Sequence, residues 1–269
     1  MECEANVCNM SQRFPTGVAV VTGAASGIGA AVMYALAMRG VDVAALDING
    51  DMLNRTIRQS VALPGRIRGF VVNIADASAV ESVVERVEAA FGPIGMLANV
   101  AGVLTLASAT SITDDEWMKC FSVNTHGVFN LSRAVASRMA VRRSGAIVTV
   151  GSNAALVPRT QMAAYAASKA AAHQYTRCLG LELAAHGIRC NIVAPGSTDT
   201  PMQRQVWHDL ENGTDVIVGT LEKYRLGIPL GRIAAPDDVA EAVLFLLSNA
   251  SRHITLHTLS VDGGATLGA

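Results

Sequence analysis

The sequence predicts an α/β protein built on a parallel sheet with helices on both faces. Short, continuous apolar runs such as Val18-Ala19-Val20-Val21 have the pattern of strands buried on both sides. They alternate with longer helical segments from residue 18 to residue 261. Glycine is frequent, at 24 residues, as many tight strand–helix turns require. With 269 residues, 51% of them hydrophobic, and no linker, repeat or low-complexity tract, the chain reads as one domain over 13–269 with a large core.

Residues 1–12 are polar and read as a flexible leader without the apolar centre of a signal peptide. The strand at 18–21 runs into Thr22-Gly23-Ala24-Ala25-Ser26-Gly27-Ile28-Gly29, then an apolar helix to about Arg39 that Gly40 ends. A second strand covers 41–46, with Asp47 at its carboxyl end, and a third covers 68–72, ending at Asn73. A helix follows over 77–91, then a short strand at 96–98 leading into Asn99-Val100-Ala101-Gly102. One long helix is expected over 114–141, with Asn124 near its middle. The β-branched run at 146–150 stops at Gly151-Ser152, and an alanine-rich helix follows. Residues 188–193 form a strand closed by Pro195-Gly196; 197–230, of mixed polarity, read as a lid with short helices. Pro236 opens a helix to about Ser248, and 258–261 form the last strand.

Two stretches carry chemistry. Gly23-x-x-x-Gly27-x-Gly29 follows a strand and opens a helix. Glycines there permit a tight turn, close backbone approach to a pyrophosphate and close helix–strand packing. The helix amino terminus adds free N–H groups and a favourable dipole. Asp47, 24 residues after Gly23, is placed to accept bonds from both adenosine ribose hydroxyls and to repel a 2′-phosphate. That favours NAD over NADP; the alternative is a plain strand-end turn residue. The fold this implies is a Rossmann-type doubly wound parallel sheet in three αβα layers.

The second stretch holds Tyr165 and Lys169, four residues apart and therefore on one helix face. A cation beside a phenol lowers its pKa by roughly 1–3 units and makes it a usable proton acceptor. Ser152, at the strand end, would bond the same substrate oxygen. Alone, such a pair is common in unrelated helices; the rest of the chain gives it weight.

Taken together, Thr22-Gly23-x-x-x-Gly27-x-Gly29, Asn99-x-Ala101-Gly102, Asn124, Ser152, Tyr165-x-x-x-Lys169 and Pro195-Gly196-x-x-x-Thr200 resemble the short-chain dehydrogenase/reductase family over nearly all of 14–269. The resemblance implies Tyr165 as general acid/base, Ser152 positioning the reacting oxygen, Lys169 on the nicotinamide ribose and Asn124 holding a water in a proton relay. It implies a cofactor site of Gly23, Ser26, Gly27, Ile28, Gly29, Asp47, Ile48, Asn73, Ile74, Asn99, Ala101, Gly102, Tyr165, Lys169, Pro195, Gly196, Thr198 and Thr200. It also implies a homotetramer with the helices around 114–141 and 160–185 between subunits. Two positions depart from the family pattern: Val100 where a second Asn is usual, and Asn73 where Asp is usual.

In the carboxyl half, Ser197-Thr198-Asp199-Thr200-Pro201-Met202-Gln203-Arg204, Leu226-Gly227-Ile228-Pro229-Leu230-Gly231, the ending from His253, and Val157-Pro158-Arg159 are similar to the subgroup acting on 2,3-dihydro-2,3-dihydroxybenzoate. That resemblance implies a small carboxylate substrate of siderophore biosynthesis. Arg159 or Arg204 would take its carboxylate, and Met202 or Met162 would face its ring. Two alternatives stand beside it: another reaction of the same family (a 3-oxoacyl-thioester reductase or polyol dehydrogenase), or a dinucleotide sensor without turnover.

Other classes find no support. A net charge of −1 without a basic run speaks against nucleic acid. The five cysteines show no ligand spacing, and no metal is expected. The odd cysteine count reads as free thiols in a reducing compartment, and no apolar run reaches membrane-spanning length. A cytoplasmic protein is the expectation.

Overall fold

A computed structural model describes residues 14–59, 63–206 and 213–268; the expected leader lies outside them. Seven strands form one parallel sheet: β1 (Val18–Thr22), β2 (Val43–Asp47), β3 (Ile67–Val71), β4 (Ile94–Asn99), β5 (Gly145–Val150), β6 (Ile188–Pro195) and β7 (Thr258–Val261). Their order is β3-β2-β1-β4-β5-β6-β7. The chain winds outward from β1 to β3, returns to place β4 beside β1, and winds the other way. Loops leaving the carboxyl ends of β1 and β4 therefore diverge, which opens a crevice at that reversal. The expected Rossmann-type sheet is present.

The helices are α1 (Gly27–Met38), α2 (Gly50–Arg58), α3 (Ala77–Phe91), α4 (Asp114–Phe121), α5 (Val128–Arg142), α6 (Ala163–Leu183), α7 (Pro201–Val206), α8 (Thr214–Val218) and α9 (Pro236–Leu247). Alternate strand residues feed two cores. Ala19, Val21, Met96 and Val148 pack under Val32, Met33 and Leu36 of α1 and Val239, Val243 and Leu247 of α9. Val18, Val20, Leu97 and Ile147 pack under Val80 and Val84 of α3 and Leu131 and Val135 of α5. Interior strands buried on both faces explain why they read as unbroken apolar runs.

Two elements differ from expectation. Helix α2 was not anticipated, because it is short and polar on average, with Leu53 its one buried residue. Asn49 starts it by accepting the Met52 N–H at 3.0 Å. The long helix expected over 114–141 is present but rewinds: between α4 and α5, Ser122–Gly127 take π-helical turns around Asn124. An inserted wide turn of this kind redirects side chains and is found frequently at functional sites.

The segment at 197–230, described except for 207–212, is fastened to the domain. Ala234 donates its N–H to Ser197 O (3.1 Å) and accepts from Asp199 N–H (2.8 Å). Farther on, Ile228 N–H donates to Ile217 O at 2.8 Å. Gly219 (φ +90°) passes so close to Gly227 (φ +82°) that a Cβ on Gly219 would stand 2.6 Å from Gly227 N. No helix among the described residues is long and apolar enough to cross a membrane.

Candidate active site

A cleft of about 830 Å³ runs along the carboxyl ends of the strands, under the segment at 197–230. At one end lies the glycine turn. Gly23 (φ +66°) and Gly27 (φ +54°) adopt backbone conformations that side chains disfavour. A Cβ on Gly29 would meet Gly23 O at 2.1 Å, so α1 presses directly on the turn. Ser26 caps α1 with no side-chain bond to its first turn. The N–H groups of that turn, at the positive end of the helix dipole, therefore remain for an anion.

Asp47 ties the turn to β2. One carboxylate oxygen accepts the Ala25 N–H (3.0 Å) and the other the Asn49 N–H (2.9 Å). Each oxygen keeps a further lone pair. Ile48, 68% exposed, overhangs the cleft. Asn73 accepts the Ala75 N–H through its Oδ1 (3.0 Å), and Ile74 lines the cleft beside it. A helix start without a side-chain cap, and a carboxylate at the next strand end, fit a diphosphate and a diol, the two polar parts of an adenine dinucleotide.

Asn99 is placed differently from expectation. It is buried, away from the cleft lining, and donates to Ser132 Oγ on α5 at 2.9 Å. Its role is to join sheet to helix. The loop after it is held by Thr22, whose hydroxyl accepts both the Val100 N–H (2.9 Å) and the Ala101 N–H (3.0 Å). Those bonds use the backbone, so they are indifferent to Val100 replacing the usual Asn.

Asn124, on the π turn, is fully buried. Its Oδ1 accepts the Val103 N–H (2.8 Å), and its Nδ2 donates to Val103 O (2.9 Å) and Ser168 Oγ (3.0 Å). Both side-chain N–H donors are committed, so the side chain fixes the 100–103 loop. A Cβ on Gly102 would stand 3.1 Å from Asn124 Oδ1 and 3.2 Å from Lys169 Nζ. This glycine lets the loop pass over both.

Ser152, Tyr165 and Lys169 converge on the cleft. Ser152 Oγ accepts the Ala154 N–H at 3.1 Å. Lys169 Nζ donates to Val150 O at 2.9 Å and lies 5.9 Å from the Tyr165 ring centroid. The expected lowering of the Tyr165 pKa by Lys169 is not what this arrangement gives. Burial raises the phenol's pKa, with the Ser152 hydroxyl acting against it. The same burial pushes the Lys169 ammonium down to about 8. Desolvation is the largest cause at both groups.

His173, one turn beyond Lys169, lies behind this group. It is buried, and its Nε2 accepts the Ser152 N–H at 3.3 Å. A Cβ on Gly151 would fall 1.7 Å from that nitrogen, so the residue before Ser152 must be glycine. Burial, with Lys169 and Arg177 nearby, brings His173 down to about 4 and keeps it neutral.

Thr198 and Thr200 line the cleft from the segment above, with the Thr200 methyl against Gly27. Pro195 and Gly196 line its floor, and Met202 and Met162 are both at its wall. Arg159 lines the cleft as expected. Arg204 does not: its guanidinium is exposed and pairs with Asp199 at 2.8 Å. A second cleft arginine, Arg225, was missed; its only sequence signal was a charge inside the lid.

The profile of the short chain dehydrogenase family matches residues 17–211. The chain is 53% identical over 251 residues to a 2,3-dihydro-2,3-dihydroxybenzoate dehydrogenase of Bacillus subtilis, covering 93% of this chain and 96% of that one. It is 42% identical to a vibriobactin-specific 2,3-dihydro-2,3-dihydroxybenzoate dehydrogenase of Vibrio cholerae, covering 92% and 95%. Among solved structures it superposes on levodione reductase with a TM-score of 0.88 at 27% identity, over 96% of this chain and all of that one. Sequence profile, close relatives and strand order agree: the chain belongs to the short chain dehydrogenase family, whose oxidoreductases use a nicotinamide dinucleotide.

Proposed function

We propose that this oxidoreductase converts 2,3-dihydro-2,3-dihydroxybenzoate to 2,3-dihydroxybenzoate in siderophore biosynthesis, with NAD as cofactor. The observation that carries the substrate is identity of 53% over nearly the whole chain to a relative of that activity, extending beyond the cofactor half into the segment over the cleft. NAD over NADP rests on Asp47, whose fixed negative charge at the end of β2 would oppose a 2′-phosphate.

The bound nicotinamide supplies the acceptor for the hydride from C3 of the substrate ring. Tyr165 Oη takes the proton of the C3 hydroxyl, and Ser152 Oγ bonds the same oxygen. Lys169, held by Val150 O, provides positive charge under the phenol as Tyr165 gives up its proton. Asn124 keeps the 100–103 loop in place beside Lys169, and a water at this turn would relay the proton outward. The ketone formed at C3 tautomerises to the catechol, and the gain in aromaticity draws the reaction forward.

The sensor alternative predicts a damaged catalytic set, yet Ser152, Tyr165 and Lys169 all reach one cleft. A cytoplasmic homotetramer completes the proposal. What supports assembly is apolar surface on the helices concerned: Val141 is 86% and Leu181 69% exposed.

The test is reduction of NAD or NADP, followed at the NADH absorbance band with the dihydrodiol acid, with product fluorescence recorded alongside. NAD reduction in step with catechol appearance is expected, with NADP slower by about a hundredfold or more, and with roughly 100- to 10,000-fold loss in kcat for Tyr165→Phe. Turnover of other alcohols but not of this acid would refute the substrate.

A further inference from the structure

The cleft contains a cationic recess that the catalytic set leaves unused. Arg159, from the loop after β5, and Arg225, from the segment after α8, both line it, each half-buried. They also share a small side cavity with Asn153, Ser197 and Val216. Among the described residues neither arginine forms an ion pair; each of the seven ion pairs found uses another arginine. Among the described residues the Arg225 side chain makes one hydrogen bond, a long 3.5 Å one from Nη2 to Ser197 Oγ.

The nearest acid does not neutralise them. Asp262 attracts Arg159 only at a distance, because its own oxygens accept from Asn153 Nδ2 (3.2 Å), Thr266 Oγ1 (2.7 Å) and Gly264 N–H (3.0 Å). Arg159 and Arg225 meanwhile repel each other, and both lose solvation. Two desolvated like charges facing one recess, without a protein counter-ion, form an arrangement that a bound anion relieves.

We propose that Arg225, with Arg159, clamps the carboxylate of the substrate, and that Arg225 sets the preference for an acid over an uncharged diol. This rests on the substrate reading above. Two guanidinium groups from different elements reach a carboxylate from two sides, giving both charge and direction. The clamp also closes the lid: Arg225 arrives on the Gly219–Gly227 hairpin, so the acid joins that hairpin to the catalytic floor. Arg204, spent on Asp199, takes no part.

The test compares kcat/KM for 2,3-dihydro-2,3-dihydroxybenzoate with that for the ring diol lacking the carboxylate. Wild type should favour the acid; Arg225→Ala should cut that preference roughly 10- to 100-fold, mainly through KM, with Arg225→Lys between. Equal loss on both diols, or a ratio within twofold of wild type, would overturn the proposal. A separate arm measures thermal shift with benzoate and with benzamide. Benzoate should raise the Tm of wild type and not of Arg225→Ala, and benzamide should do neither. Failure of wild type to oxidise the acid would refute the substrate reading, while the benzoate arm would still decide whether Arg225 holds a carboxylate. Benzoate binding unchanged in Arg225→Ala would overturn the clamp whatever the substrate.

Discussion

At the scale of single residues, burial decides more than charge pairing. Lys169 and Tyr165 were legible as a pair from their spacing, but the consequence drawn from that spacing had the wrong sign: burial raises the phenol and lowers the ammonium. Sequence separation reports neighbourhood and carries no information on solvent. The same limit hid His173, which supports the serine through its backbone. Its pKa of about 4 lies below the ordinary value near 6.5, so the unfolded chain binds a proton in this window that the folded protein refuses. Stability from this group is complete above about pH 6.5 and is lost as pH falls toward 4. Urea unfolding at pH 7 and pH 4.5 should show a smaller loss in His173→Gln, which keeps an acceptor for Ser152 N–H without titrating. An unchanged acid loss would contradict the assignment. At the cofactor end, Asp47→Asn should raise the NADP/NAD ratio of kcat/KM by about tenfold or more, since only the charge is removed; a ratio unmoved within twofold would separate Asp47 from cofactor choice.

At the scale of elements, the strands and the glycine turn were legible because their requirements are local. Buried strands must be apolar throughout, and Gly23 and Gly27 must enter positive φ. Helix α2 escaped notice because nine mostly polar residues with one buried leucine resemble a loop in composition, and the π turn because its insertion leaves composition unchanged. Cross-element bonds were equally invisible. Thr22 holds the 100–101 backbone from β1 across 78 and 79 residues of sequence, and Asn99 turns away to Ser132. Thr22→Val keeps the shape but leaves two N–H groups without an acceptor. It should lower stability by about 1–3 kcal/mol and weaken dinucleotide affinity, as read by denaturant unfolding and by cofactor titration. Loss of neither would mean that the loop is held from elsewhere. Gly151→Ala puts a methyl into His173, and both stability and kcat should fall together.

At the scale of the whole molecule, the reversal of winding between β1 and β4 brings residues from 23 to 225 to one cleft. The order of strands, alternating with helices, was foreseeable; which arginine of the segment above the cleft would face inward was not. Arg204 and Arg225 look alike in sequence, and only the fold shows one paired with Asp199 and the other without a counter-ion among the described residues. The apolar surface of α5 and α6 belongs to this scale too. Light scattering should give four chains per particle, and a monomer at micromolar concentration would remove assembly from the account. The most direct measurement of the central claim uses substrate carrying deuterium at C3, with NAD, and mass analysis of both products. One deuterium in the reduced cofactor per 2,3-dihydroxybenzoate is predicted. Deuterium released to solvent with an unlabelled reduced cofactor, or product formed without cofactor reduction, would contradict it.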